Sequence, residues 1–503
     1  MTEERRFNLV DEAWIPVAGA GRASLREVFS RRWPGVPGGT PLEKIALFKL
    51  LQAIAQAAHT PADEAEWLAL GPDGLAEACL TYLERWHEAF WLYGPQPFLQ
   101  FPAVKRAKIV PYGKLLPHIA SGNNTLLFQS QVERPLDDGQ KALLLLVNMS
   151  CCFSGKNRAD HSIVFSPGVV KKASGTPGPA ICSRGLLHSF VLGPTLRETV
   201  WRNLLTREEL AEERLYENGV GTPPWERMPQ GEADEVAEAL KRSLMGRLVP
   251  LARFYLLAAD GVHSVEGIQH PDYLQGGMVD PSVTGNRSQK NPRMLWADPQ
   301  RRPWRMLPAL LSFLRPDSTQ DMRCLQLDWC LPRLKRAGQA GHDELKEAAI
   351  WSGGICISGN TSNEQKLIKD DDVVESEISL LLAELGAQWF LNLRTVMEQV
   401  EKLGNHIYAA VAGYYREEKA ENGAKWAERA VREFWQLAER HFPALLAACG
   451  HEEPDGRDEV IGALRGCVLG CYARACPRET ARQLATWAKH RPFSPRKQTT
   501  GKG

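Results

Sequence analysis

The run from Val373 to Tyr414, VVESEISLLLAELGAQWFLNLRTVMEQVEKLGNHIYAAVAGY, decides the fold of this 503-residue chain. Ile378, Leu381, Leu385, Trp389, Val396, Val400 and Leu403 recur at helical spacing, which puts them on one face of a helix. Past a break expected at Gly404, Ile407, Val411 and Tyr414 continue the stripe. Downstream, Trp426, Ala430, Phe434, Leu437 and Leu445 repeat it. After the loop HEEPDGRDE come Val460, Leu464, Cys467 and Cys471, then more weakly Leu484 and Trp487. Four amphipathic helices with short connections predict an antiparallel bundle over residues 372–490, bounded near Asp371. The tail 491–503 carries Arg491, Arg496, Lys497 and Lys502 with no acid and is expected to be flexible.

Upstream the periodicity is mixed. FNLVDEAWIPVAG alternates apolar and polar residues before Gly19 and Gly21, as a strand and turn do, while Ile45, Phe48, Leu51 and Ile54 return to helical spacing. Residues 1–371 are therefore expected to form a mixed body. The fold class is α+β, a large mixed N-terminal body followed by a C-terminal four-helix bundle. With 44% apolar and 24% charged residues the chain has enough apolar mass for real cores, which excludes disorder for the chain as a whole. No apolar run approaches the roughly 20 residues of a membrane span, and the start MTEERRF lacks a signal-peptide core, so a cytoplasmic protein is expected. Eleven cysteines without framework spacing read as reduced thiols.

Because 61 basic residues stand against 60 acidic ones, any polyanion site must come from local clustering. Residues 284–315 supply it, with Arg287, Lys290, Arg293, Arg301, Arg302, Arg305 and Arg315 against the single acid Asp298. Catalytic motifs are weaker. FSGKN at Phe153 to Asn157 lacks the glycine and hydroxyl positions of a phosphate-binding loop, so an NTPase is disfavoured. The acids Asp370, Asp371 and Asp372 could ligate a metal in a nuclease or hydrolase, the enzyme alternative. The plainer reading is solvated charge ahead of a helix. Cys467, Cys471 and Cys476 have no partner pair at finger spacing and read as core thiols, so neither metal nor cofactor is expected.

Three polar loops remain. SGNNTLLFQSQ sets Phe128 beside Gln129 and Gln131, an aromatic and amides of the kind that hold unpaired bases, although a core Phe fits equally. CCFSGKN offers Gly155 for close backbone approach and Lys156 for a phosphate, or a plain helix C-cap at Gly155. SGGICISGNTSNEQK carries Asn360, Asn363 and Gln365 on a tip that alone would be read as a hairpin turn.

Taken in order, FNLVDEAWIPV, QPFLQ, KLLPHIASGNNTLLFQSQ, HSFVLGPTLRETVWRNLL, DPSVTGNRSQKNP, WRMLPALL and the final bundle resemble CasA, the large-subunit family of the type I-E CRISPR surveillance complex Cascade. The resemblance spans most of the chain and rests on the order of short motifs. It implies a non-catalytic subunit of an antiviral ribonucleoprotein that recognises a short motif beside the target, the PAM, in double-stranded DNA. The subunit then helps open the duplex into an R-loop with the guide RNA, and recruits a helicase-nuclease in trans. The implied partners are the backbone, small and guide-end subunits, the guide RNA and the target duplex. Carried over by motif, Phe128, Gln129 and Gln131 fall on a guide-RNA or subunit contact loop. Gly155 and Lys156 fall on a glycine turn, Arg287 with Lys290 second on a minor-groove cation, and Asn363 and Gln365 on a strand-separating wedge. Two departures stand out. Cys152 and Ser154 replace glycines of the turn, and Glu364 sets an anion in the wedge.

Overall fold

Helix starts are written in the side chains. Ser24, Thr40 and Thr480 each accept a hydrogen bond from the backbone N–H three residues on, and the side-chain oxygens of Glu27, Glu43 and Gln483 accept one from the cap backbone N–H. In the computed structural model, which describes residues 4–112, 135–150, 185–212, 216–231, 234–268, 270, 279–286, 293–315, 322–356, 372–451 and 454–493, the chain opens with β1 (Arg6–Asn8), β2 (Ile15–Val17), β3 (Gly21–Ala23), α1 (Leu25–Ser30), α2 (Pro41–Ala58) and α3 (Glu64–Arg85). There follow β4 (Trp91–Tyr93), β5 (Ile109–Pro111), α4 (Asp138–Ser150), β6 (His188–Leu192), α5 (Leu196–Arg202), α6 (Arg207–Glu212), α7 (Glu235–Lys241) and α8 (Met245–Leu248). Next come β7 (Arg253–Leu257), β8 (Gly261–Glu266), β9 (Gly285–Asn286), β10 (Arg293–Met294), α9 (Leu307–Leu310), α10 (Leu325–Gln339), β11 (Glu347–Cys356) and β12 (Asp372–Leu381). The chain ends in α11 (Ala387–Glu417), α12 (Gly423–Cys449), α13 (Asp455–Ala475) and α14 (Ala481–His490). No helix among the described residues is long and apolar enough to cross a membrane.

Two compact units result, divided between Ala383 and Glu384, with a short stretch from Leu314 belonging to the second. The first is the mixed body. Its strands pair antiparallel in small sheets, of which β12-β11-β6 and β5-β8-β7 have three strands each. Helix α2 runs through its core and is buried on nearly every side. From it Phe48 stacks on Phe190 of β6, ring centroids 4.8 Å apart, and lies against Trp351 of β11. Trp67 and Trp201 stack at 4.2 Å, and each indole N–H donates to the other's backbone carbonyl.

The second unit is helical, as the apolar stripe predicts. Val396, Val400, Leu403, Ile407, Val411 and Tyr414 of α11 are buried, as are Ala430 and Phe434 of α12 and Leu464 and Cys471 of α13. Two corrections concern the deciding stretch itself. Ile378 and Leu381 do not begin the bundle, because β12 pairs with β11 from Asp372 opposite Cys356 to Leu381 opposite Glu347. The physical signal was period two: Val374, Ser376, Ile378 and Leu380 are buried, and Val373, Glu377, Ser379 and Leu381 between them are exposed. Gly404 does not break the helix either. Helix α11 runs through it, and a Cβ there would lie 2.8 Å from the Trp435 ring, so the glycine is a packing notch.

Candidate nucleic-acid interface

Every residue carried over by motif falls in a connection outside the described residues: Phe128, Gln129 and Gln131 in 113–134, Gly155 and Lys156 in 151–184, Arg287 and Lys290 in 287–292, Asn363 and Gln365 in 357–371. The stems of these connections are described, and they locate where each leaves the fold. Asn363 and Gln365 belong to the connection of the β11–β12 hairpin, which begins beyond the pair Cys356 and Asp372. Asp370 and Asp371 lie in the same connection, whereas Asp372 opens a strand, so the run of acids does not precede a helix as expected. Among the described residues no group of three or more His, Cys, Asp or Glu could hold a metal ion.

Arg287 and Lys290 belong to the connection between β9 and β10, which pair antiparallel with Asn286 opposite Arg293 and Gly285 opposite Met294. This small pair is stitched to its surroundings through backbone bonds. The Leu295 N–H donates to the Thr284 carbonyl at 2.9 Å, Leu187 donates to Leu295 at 3.0 Å and Ala297 donates to Gly185 at 2.7 Å. On the other side Gly285 and Arg323 exchange bonds of 3.0 and 2.9 Å. Leu186, Val283 and Met294 form one buried apolar cluster there. The β11–β12 hairpin meets the same cluster. At Gly354 an added Cβ would stand 2.6 Å from the Leu186 carbonyl oxygen and 3.0 Å from the Ala297 Cβ, so only glycine lets this chain pass against β11. The connections carrying Arg287 and Gln365 therefore spring from one patch of the body.

A buried ion pair fixes that patch from beneath. Lys49 of α2 donates to both carboxylate oxygens of Asp280 at 2.5 Å, with 1% and 0% of the two side chains exposed. Asp280 also accepts from the Ser282 N–H at 3.0 Å and the Ser282 hydroxyl at 2.8 Å, and that hydroxyl is 2.9 Å from His188 Nδ1 of β6. Burial alone would raise the Asp280 carboxyl. The charge of Lys49 and the hydrogen bonds of Lys49 and Ser282 outweigh it and hold the group below the usual carboxylate range. Three residues after Asp280 stands Val283, then Gly285 of β9, so the pair sets the register of the strand leading to Arg287.

The stretch that borders this patch is basic. Between residues 293 and 302, Arg293, Arg301 and Arg302 are exposed, and Asp298 is the one acid of the stretch. Asp298 accepts from the Gln300 and Arg301 backbone, and Arg305 donates to the Gln300 carbonyl at 2.8 Å, which shapes the turn. Trp304, 3% exposed, anchors it by donating its backbone N–H to Ser376 Oγ of β12.

The other two connections have different stems. Tyr112 and Asp137 flank the Phe128 connection, where Lys141 lies 5.5 Å from the Tyr112 ring centre, Arg22 pairs with Asp137 at 2.8 Å, and Tyr93 donates to Asp138 at 2.7 Å. Ahead of Gly155 the stem is Ser150, buried at the end of α4, beside Met149, whose carbonyl accepts from Ala252. The described contacts bring the stems of Arg287 and Gln365 together and do not bring these two to the same place. Three residues here were missed from sequence: Lys49, an ammonium buried inside helix α2; Asp280, its partner; and Trp296, which is 39% exposed beside the patch.

Comparison with known proteins agrees with this architecture. The profile of the family described as CRISPR-associated protein Cse1 matches residues 8–471. The CRISPR-associated protein CasA/Cse1 of Thermus thermophilus is 27% identical over 536 aligned positions, which cover 96% of this chain and 94% of the relative. Among solved structures, CasA from the same organism superposes with a TM-score of 0.73 at 20% identity, over 96% of this chain and 98% of the other. Thermobifida fusca Cse1 does so at 0.73 and 20%, over 96% and 95%. A chain of a CRISPR RNA-guided surveillance complex matches at 0.69 and 18%, over 97% and 99%. At these identities the structural matches speak for the fold.

Proposed function

The chain belongs to the CRISPR-associated protein Cse1 family, and from that premise we propose that it is the large subunit of a type I-E RNA-guided surveillance complex. In this role it recognises the PAM in double-stranded DNA, helps open the duplex for guide-RNA pairing and recruits a helicase-nuclease, itself cutting nothing. It works in the cytoplasm beside the backbone, small and guide-end subunits. The observation that supports this reading best is the shared origin of two connections. The one bearing Arg287 and Lys290 and the one bearing Asn363 and Gln365 leave the body from a single rigid, cation-rimmed patch. A cation for the narrow groove and amides for the strand junction are needed within a few base pairs of each other. Minor-groove contacts distinguish bases poorly, so such a subunit tolerates several PAMs. Forcing base pairs apart costs a few kcal/mol per step, offset by guide pairing and by counterions released at each phosphate contacted. Gly155 and Lys156 serve as a further backbone contact, and Phe128, Gln129 and Gln131 face the guide or a neighbouring subunit.

The test uses the assembled complex. Arg287→Ala and Gln365→Ala are expected to weaken binding to PAM-bearing duplex about tenfold each, in line with about 1–3 kcal/mol for a groove contact. Binding to pre-opened target should change much less. Equal binding of cognate duplex by a complex assembled without this chain overturns the proposal. Mg²⁺-dependent cleavage by the chain alone, abolished by replacing Asp370, Asp371 and Asp372 with Ala, establishes the metal-dependent nuclease instead.

A further inference from the structure

Trp296 is an indole held rigidly at the surface. The residues on either side of it are locked: Leu295 donates to Thr284 and accepts from Leu187, and Ala297 donates to Gly185. Trp296 itself bridges to Leu186, and yet the residue is 39% exposed. Exposed Arg293 lies three residues before it, and the Asp298-capped turn carries exposed Arg301 and Arg302 just after it. A lone exposed aromatic on a soluble protein needs no explanation. An aromatic immobilised by backbone bonds within a stretch rich in arginine, on the patch from which the Gln365 connection springs, is a different object.

We propose that Trp296 is a stacking platform for an unpaired base of the displaced DNA strand, with Arg293, Arg301 and Arg302 engaging the flanking phosphates. This rests on the duplex-opening reading above. The occupant follows from chemistry: once the guide pairs with the target strand, that strand's bases are spoken for, and the displaced strand alone has bases with both faces free. Every base has a π-face, so an indole holds any of them without reading sequence, and guanidinium groups from the same stretch supply the phosphate contacts that single strands require. Because the backbone of Trp296 is already fixed, stacking costs little ordering.

The experiment places 2-aminopurine, whose fluorescence is quenched by stacking, at successive positions of the displaced strand in PAM-bearing duplex bound by the assembled complex. With the native chain one position near the PAM stays quenched after opening. Trp296→Ala brightens that position severalfold and weakens retention of the opened duplex about tenfold, the scale of one lost base–aromatic stack. Trp296→Phe restores most of both. Unchanged fluorescence at every position with Trp296→Ala, while Arg287→Ala and Gln365→Ala still impair opening, overturns this inference and leaves the duplex-opening reading intact. Loss of the Trp296→Ala chain from the complex without brightening makes the residue a protein contact and also overturns it. If Arg287→Ala and Gln365→Ala have no effect either, the underlying reading falls with it.

Discussion

Lys49 and Asp280 meet in the body with 1% and 0% of their side chains exposed, whereas in the helical unit Lys489 and Glu417 meet at 65% and 36%, and Arg474 and Glu433 at 55% and 38%. The body repeats its habit elsewhere: Arg333, at 1%, pairs with Glu209, donates to the Leu204 carbonyl and lies 4.2 Å over the Trp67 ring. The helical unit does not bury these pairs in the same way. Its packing rests on the apolar stripe, with ions arranged outside. Burying a charge commits the chain to one geometry, because the desolvated partner has no acceptable alternative, while a surface pair leaves the geometry free to shift. The body carries the patch from which the DNA-contacting connections are proposed to spring, and there a fixed register has value.

The contrast breaks most directly at Asp280. Asp280→Ala leaves the Lys49 ammonium buried without its partner, and the expected loss is about 3–5 kcal/mol in denaturant unfolding of the body. The pair Lys49→Met with Asp280→Leu should lose markedly less than either charge-stranding single variant. A loss under about 1 kcal/mol for Asp280→Ala would remove the distinction between the units. Next in size are two glycines that make the same comparison sterically. Gly354→Ala presses on the Leu186 backbone carbonyl in the body, and overpacking of this kind costs about 1–3 kcal/mol. Gly404→Ala presses on the Trp435 ring instead. The ring can tilt, and the helix gains close to ~1 kcal/mol of propensity, so thermal unfolding should show a net change near zero. Equal costs at both sites would show that the helical unit is as unforgiving as the body.

The bundle was legible because its signal is local. Residues three and four apart on one helix face share a neighbour, and Val396 to Tyr414 state that on their own. The same rule misassigned Ile378 and Leu381, which are three apart by accident in a strand whose true signal alternates. Lys49 escaped because a lysine at a stripe position looks like a solvated edge until Asp280, far along the chain, is known to lie over it. The patch was illegible for the same reason: Leu186, the Val283 and Met294 segment, and Gly354 come from three separate stretches, and no window of sequence contains their contact. The candidate DNA-contacting residues were reached by resemblance in motif order. Their connections lie outside the described residues, and what the structure contributes is the common footing of two of them.

A smaller effect separates the units by pH. His270 of the body is buried, with its Nε2 2.6 Å from the Pro250 carbonyl. Burial first, and then the charges of Arg247 and Lys241, push its imidazole down to about 3. Its folded pKa lies below the ordinary histidine value near 6.5, so between these the unfolded chain binds a proton that the folded one refuses. Stability is therefore present above about pH 6.5 and is lost as pH falls toward 3, by about 1.4 kcal/mol at pH 5.5. Urea midpoints followed from pH 7 to 5.5 should fall for the native chain and stay flatter for His270→Phe. Equal slopes would mean that the group titrates freely.

The smallest expected effect is the sharpest statement about the helical unit. Glu417, near the end of α11, accepts from both Lys489 and His490 of α14, and these bonds hold its carboxyl below its usual range. The pair is open to water, so Lys489→Ala should barely move the urea midpoint, and move it less still in 1 M salt, where charges are screened beyond about 3 Å. A cost comparable to that of Asp280→Ala, persisting in salt, would mean that α14 is locked by charge after all. The small, salt-erased value expected here leaves α14 held by the apolar contacts around Tyr472 and Trp487, rings 5.6 Å apart, and by the hydrogen bond from the Tyr472 hydroxyl to the Trp487 carbonyl.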